Sequence, residues 1–525
     1  MRIPRNVAIG AAALALVTAA IAPAAHAVDI AVPGSEFSLG LAPEVTTSPG
    51  VPAAYIRLWD MKTAWRDINP APGVFDFSIM DQRVAQAEAA GAKPLVVLGL
   101  TPQWAAKDPS AGDPRWGAGT ASPPSNPDTY TAYVTAIMQR YGARIGAVEV
   151  WNEANLQTFW TGTPSEMADL TLRAYRTIKS ISPGTAVIAA STTTRLANSV
   201  ATFFGPYASA LKSIGYPLDA WTIHSYPAGN QGPSDRYQDI LEWRGVLIDA
   251  TGNDSAALSK QVWDTEVNYG LAGPGPTPHT DFDANTSGQF VARTFVDSVR
   301  LGVDSTYWYM WTASAFSLLG VQMFNGTTTT IGAYTTARNW LSGSTLKGCD
   351  ELNGVIRCYF SGPSQFYLAM SANDGPVSYA HQPTATAENW LGQPVSTTGP
   401  ISLASGPVKF TCLPTDAAQC VLGGVPSAAT PLPGSGPAVA RTITITVAKG
   451  SVNGKKGLVI TGKSTGMPGE IVTSYWKQGS QKKFAPGNKA TVQADGSFTV
   501  GKVTKGSGSA YVQGVGGVKS NTASG

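Results

Sequence analysis

Between residues 37 and 311 the hydrophobic pattern switches back and forth between two periods. Short, nearly continuous apolar runs occur at Phe37–Leu41, Tyr55–Trp59, Pro94–Leu100, Ala147–Trp151, Ala186–Ala190, Leu218–Ile223, Gln261–Thr265 and Thr306–Met310. Runs of that length without clean alternation suit parallel strands covered on both faces. Between them, apolar positions recur at helical spacing. Met80, Val84 and Ala87 form one such stripe, with Gly91 placed to end the helix. Thr163-Pro164-Ser165-Glu166 combines a capping box with proline at the first helical position, ahead of Met167, Leu170, Ala174 and Ile178. Eight strands with interleaved helices predict an α/β fold of the (β/α)8 barrel type. A doubly wound sheet is the rival, but no glycine-rich phosphate turn follows the first strand.

After residue 343 the pattern becomes that of short alternating strands bounded by Gly, Pro and Ser, as in GVIRCYF and QFYLAM. PSAATPLPGSGP, residues 426–437, has the composition of a semi-extended linker. RTITITVAKG, KGLVITGKS, GEIVTSYWK and SFTVGKV then read as strands of a small immunoglobulin-like sandwich, and the final VKSNTASG reads as disordered. The expected organisation is therefore a barrel over 28–343, a β domain over 344–425, the linker over 426–437 and a second β domain over 438–525. The opening 27 residues carry Arg2 and Arg5, an apolar run and Ala25-His26-Ala27. They read as a secretory signal, which predicts an extracellular or surface-associated protein starting at Val28 and without a membrane span.

Cysteine usage agrees with that compartment. The four cysteines, Cys349, Cys358, Cys412 and Cys420, all lie beyond the barrel. Cys349–Cys358 and Cys412–Cys420 are the neighbouring pairs that would staple two hairpins, and no CxxC spacing suggests a metal. Charge is unevenly spread. Residues 438–525 hold 12 Lys and Arg against Glu470 and Asp495, in a chain whose net charge is only +3. The preceding residues are thus acidic on balance, and the basic end is suited to an anionic cell envelope or polysaccharide surface. No nucleic-acid partner and no cofactor are expected.

Reactive groups of such a barrel come from the carboxyl ends of its strands. Strand two ends near Arg57, and strand four in Trp151-Asn152-Glu153. Strand six delivers His224-Ser225-Tyr226, strand seven Asp264-Thr265-Glu266, and strand eight Trp308, Tyr309 and Trp311. Two glutamates facing each other across a barrel mouth suit glycoside cleavage, in which one carboxylic acid protonates the leaving oxygen and one carboxylate stands opposite. Glu149 shares a face with Trp151 and Glu153 and reads as a buried arginine partner, and Asp264 as a supporting carboxylate.

With these motifs in order, the chain resembles the retaining glycoside hydrolases of clan A. VEVWNEAN matches their acid/base motif, WDTEVNYG the nucleophile motif and HSYP the strand-six motif. RLWDMKTAWRDINPAPGVFDF and LVVLGLTPQWA are most similar to family 39 and its family 5 neighbours. The resemblance implies Glu153 as general acid/base and Glu266 as nucleophile. It implies Asn152 on the sugar 2-hydroxyl, Arg57 holding Glu266 ionised, and His224 and Tyr226 orienting nucleophile and sugar. Trp311 would be the floor of the cleaved subsite. Trp160 is an outer-subsite candidate, and Trp104 is open between core and sugar platform. Ala154 stands where family members often carry proline, a change confined to the loop.

The expected activity is retaining hydrolysis of a β-glycosidic bond in a polysaccharide or oligosaccharide, of β-xylosidase or endo-β-glycanase type. Arabinofuranosidase action, transglycosylation and silent carbohydrate binding are the alternatives. Asp281, Asp283 and Asn285 alternate as in part of a calcium loop, but the loop's glycine and distal glutamate are missing, and a helix-capping loop is the better reading.

Overall fold

In a computed structural model, residues 29–412 and 442–524 are described, apart from 313, 325–328, 382–383, 385, 453, 465–470, 479–480, 482, 493–496, 505–506 and 514–518. The signal, the 426–437 linker and Cys420 lie outside the described residues. The barrel strands are β1 (Phe37–Leu41), β2 (Tyr55–Leu58), β3 (Lys93–Val97), β4 (Ala147–Glu149), β5 (Ala186–Ile188), β6 (Ala220–His224), β7 (Gln261–Val267) and β8 (Ser305–Thr312). Each pairs in parallel with the next, and β8 returns to β1, closing the barrel. Closure buries both faces of every strand, which is why the sequence pattern lacks alternation.

Helices cover the outside, and their ends are capped by residues the sequence marks. At the start of α1 (Pro164–Ile181), Thr163 Oγ1 accepts from the Glu166 amide at 3.1 Å, and Glu166 Oε2 accepts from the Thr163 amide at 2.8 Å. The calcium-like DFDAN segment is a cap as well. Asp283 Oδ1 accepts from the amides of Asn285 and Thr286 at 2.9 and 3.0 Å at the start of α2 (Ala284–Leu301). No described helix is long and apolar enough to cross a membrane.

The next domain is an antiparallel sheet with Ser344–Leu352, Val355–Ser361 and Phe366–Ser371 at its centre. Cys349 and Cys358 face each other on paired strands and are disulfide-bonded. The sheet's first strand comes from far upstream, because Ile30–Val32 pairs with Ser344–Leu346. The barrel core also runs without a break into this domain through Leu346, Ile356, Phe360, Leu368 and Trp390. The last domain instead has a core of its own around Ile445, Leu458, Ile460, Trp476 and Phe498 between two sheets. Disorder of the final segment is not what the structure has. Asn521 brackets Ile445, accepting from its amide at 2.9 Å and donating to its carbonyl at 3.1 Å, and Ala523–Ser524 pairs with Ser509–Ala510. A two-residue strand and an amide that imitates a strand edge leave little hydrophobic pattern to read.

Candidate active site

Arg57, at the end of β2, organises the barrel mouth. Its side chain is fully buried, and its Nε and Nη2 donate to the two oxygens of Glu149 at 2.8 Å each. Nη1 donates to Glu266 Oε1, and Nη2 also donates to Asn152 Oδ1 at 2.8 Å. Because guanidinium offers only donors, the atom Asn152 turns to it must be oxygen, which leaves the Asn152 amide N–H groups for a ligand. Glu149 is buried, a penalty that Arg57 and His224 overcome, so its pKa falls to about 2. It is a permanent counter-ion.

Glu266 is held from both sides, by Arg57 at Oε1 and by the Tyr226 hydroxyl, which donates to Oε2 at 2.6 Å. Burial pushes its pKa up, opposed by the charges of His224 and Arg57. His224 lies between the two candidate glutamates, its Nδ1 3.2 Å from Glu153 Oε1 and 3.5 Å from Glu266 Oε2, aligned for a hydrogen bond to neither. Burial disfavours its charge, but Glu266, Glu149 and Glu153 outweigh that and lift its pKa to about 10. An imidazolium thus sits at the centre of three carboxyl groups.

Backbone irregularities aim the two glutamates. Glu153 has φ 40°, an uncommon left-handed conformation for a non-glycine residue, and its amide donates to Ser191 Oγ at 2.9 Å. On β7, Ile223 faces Asp264 but His224 faces Glu266, so Thr265 is an extra residue, a bulge. Simple alternation would point Asp264 and Glu266 the same way. With the bulge, Asp264 turns away to Ser225 and Arg236 (Arg236 Nη2 at 2.7 Å), Thr265 Oγ1 meets His224 Nε2 at 3.1 Å, and Glu266 enters the mouth.

The structure therefore brings together Arg57, Asn152, Glu153, His224, Tyr226 and Glu266. It does not bring the expected tryptophans. Trp311 is fully buried against the edge of Tyr334, with no face left for a sugar. Trp160 is 1% exposed and packs edge-on to Trp151, so it belongs to the core rather than to an outer subsite. Trp104 is half-buried, its indole N–H donating to the Asn69 carbonyl at 2.9 Å.

Three other residues occupy the mouth. The Tyr309 hydroxyl donates to Asp60 Oδ2, and its ring stands edge-on to Tyr226. Burial raises Asp60 to about 7 against the pull of that hydroxyl. Trp59 lies under the Arg57 guanidinium at 5.7 Å. Gly40 makes room for Tyr309, since a Cβ there would lie 2.8 Å from its ring. The signal was present: Tyr309 stands between Trp308 and Trp311, and Trp59-Asp60 directly follow Arg57. A register shift between Trp308 and Trp311 on β8 decides which aromatic faces inward.

No protein-family model matches the chain, and no curated protein matches it either. Solved structures do. A family 39 glycoside hydrolase from the gut symbiont Bacteroides cellulosilyticus WH2 aligns with a TM-score of 0.54 at 16% identity, over 73% of this chain and 82% of that one. A family 51 α-L-arabinofuranosidase from Bifidobacterium longum aligns at TM-score 0.48 and 13% identity, over 74% and 98% of the two chains. A glucosidase from Croceicoccus marinus gives 0.46 and 14%, over 90% and 94%. The first likeness is one of fold, and the fold of this chain is a (β/α)8 barrel with appended β structure.

Proposed function

We propose that the chain is a retaining O-glycoside hydrolase that cleaves a β-glycosidic bond in a polysaccharide or oligosaccharide by double displacement. The observation that carries this reading is the pair Glu153 and Glu266 meeting at one histidine nitrogen. Their facing oxygens are no farther apart than 3.2 Å and 3.5 Å laid end to end. That bound on the nearest oxygens is compatible with the carboxyl separation of about 5–5.5 Å that a covalent route needs, and lies at the low end of the roughly 6.5–9.5 Å that leaves room for an inverting water.

Roles follow from what each carboxyl group touches. Glu149 and Glu266 face the two cations, Arg57 and His224, whereas Glu153 comes within ion-pair distance only of His224 among the described residues and has the most open side chain of the three. Glu153 is thus the group placed to carry the proton. It protonates the glycosidic oxygen as the bond to the anomeric carbon breaks, while a Glu266 oxygen forms the new bond. Water then attacks the glycosyl–enzyme ester, giving its proton to Glu153 and releasing Glu266, with net retention. The free Asn152 N–H suits the sugar 2-hydroxyl, a contact that tightens as charge develops on the ring.

The test is hydrolysis of a polysaccharide panel and aryl β-glycosides by protein recovered from the medium, whose first residue is expected to be Val28. Wild type should release reducing sugar as the β-anomer. Glu266→Ala should be silent, and Glu153→Gln should lose roughly 10²–10⁴-fold, least on substrates with acidic leaving groups that need no protonation. Equal turnover by wild type and Glu266→Ala, or an inverted first product, overturns the reading.

A further inference from the structure

A second arginine at the mouth has no hydrogen-bond or ion-pair partner among the described residues. Arg195 ends a segment laced between the two sides of the site. Ser191 O accepts from the Ala154 amide at 2.9 Å, Thr193 and Asn155 exchange bonds of 3.0 and 3.2 Å, and the Thr194 amide donates to the His224 carbonyl at 3.0 Å. Arg195 is therefore held beside the Glu153 turn by backbone contacts. Its own Nε and Nη1 are buried without a hydrogen bond, and it makes no ion pair with any described residue. The charged or ionisable groups around it are Glu153, Tyr226 and Asp239, and the buried Oδ2 of Asp239 likewise has no hydrogen-bond partner among the described residues.

A mostly buried guanidinium with unsatisfied N–H groups is costly, and removing water from it lowers its pKa. The remaining surface of the side chain is open. Glu153 is unsuited to be its permanent partner, because an acid/base must change charge twice per turnover. Position gives the place of contact. Glu153 addresses the glycosidic oxygen and Tyr226 holds Glu266, and Arg195 stands by both Glu153 and Tyr226, hence beside the bond to be cut.

We propose that Arg195 binds the carboxylate of a uronic acid unit next to the scissile bond, so that the substrate is an acidic polysaccharide. The proposal rests on the glycosidase reading above. A planar guanidinium fork matches the two oxygens of a carboxylate better than it matches neutral hydroxyls. Binding at the open edge of the guanidinium would give its charge a partner and draw the chain across the acid/base.

The experiment uses paired substrates, polyglucuronate, glucuronoxylan and alginate, each beside its carboxyl-reduced form, with a sulfated neutral glycan as a third arm. Wild type should favour an acidic form over its reduced form by roughly tenfold or more in kcat/KM, the scale of a charge-assisted hydrogen bond. Arg195→Gln should bring that ratio close to one, and Arg195→Lys should retain part of it. A wild-type ratio near one overturns the proposal without needing any variant to fold. So does a ratio unchanged in Arg195→Gln, which would make Arg195 a positioning residue for Glu153, or a preference for sulfate over carboxylate. Absence of turnover on every substrate would instead count against the glycosidase reading. Calorimetric binding of polyglucuronate to wild type and Arg195→Gln then decides this proposal, and equal affinity overturns it.

Discussion

His224 is the residue on which the electrostatics of the mouth turn. Its imidazole is buried, yet the surrounding carboxylates raise its pKa to about 10, against about 6.5 for an unfolded histidine. A raised pKa stabilises the fold fully below the unfolded value, and that stabilisation is lost as pH climbs through the folded value. The stability advantage of wild type over His224→Gln should therefore be largest at pH 6 and shrink steadily towards pH 10. Urea unfolding at pH 6, 8 and 10 measures it, and a gap that widens with pH would show that the histidine is neutral. At this scale the charged chemistry was legible, since Arg57, Asn152, Glu153, His224, Tyr226 and Glu266 all follow from strand-end positions. The aromatics were not. A tryptophan serves equally well as core or platform, and only packing separated Trp311 and Trp160, which are core, from Trp59 and Tyr309, which reach the mouth.

Among the elements, β7 shows why strand prediction alone cannot aim a side chain. The run Gln261–Thr265 was readable as a strand, but a bulge leaves no hydrophobic mark, and here Thr265 moves Glu266 into the site and Asp264 out of it. Thr265 then uses its hydroxyl to meet His224 Nε2 at 3.1 Å, on the side opposite the two glutamates. Thr265→Val keeps the shape and removes that contact. It should lower kcat/KM by about tenfold, the order of one lost hydrogen bond to a charged group, with the melting temperature shifted by only a few degrees. Activity within twofold of wild type would mean that the charges of the surrounding carboxylates orient the ring without that hydroxyl. Helix ends were easier to foresee, because caps are written in side chains: Thr163 with Glu166, and Asp283, stand where the sequence puts them.

Across the whole molecule, the two β domains have different relations to the barrel. The first has no separate existence on its barrel-facing side. Arg293 on α2 is buried, donating to the Ser371 carbonyl and to Asp374 Oδ1 at 3.1 Å, and Asp374 also accepts from the Ser234 amide at 2.9 Å and from Ser405 Oγ at 2.7 Å. Trp390 fills the space over Gly288, where a Cβ would lie 2.3 Å from its ring. Ending the chain at residue 343 would strip these groups of partners, expose the shared core and leave Ile30–Val32 without its neighbour strand. The last domain is different, since its core is self-contained. Truncation after residue 437 should therefore leave the barrel's calorimetric transition and its turnover of soluble substrate unchanged, while truncation after 343 should yield no folded protein. The same pair of proteins tests a proposed task for the basic end. If the surplus of Lys and Arg over Glu470 and Asp495 attaches the protein to anionic envelope polymers, full-length protein should be retained on them at low salt and released by salt. The protein ending at 437 should pass through at both. Retention of both forms alike would place attachment before residue 438 and leave the last domain without that role.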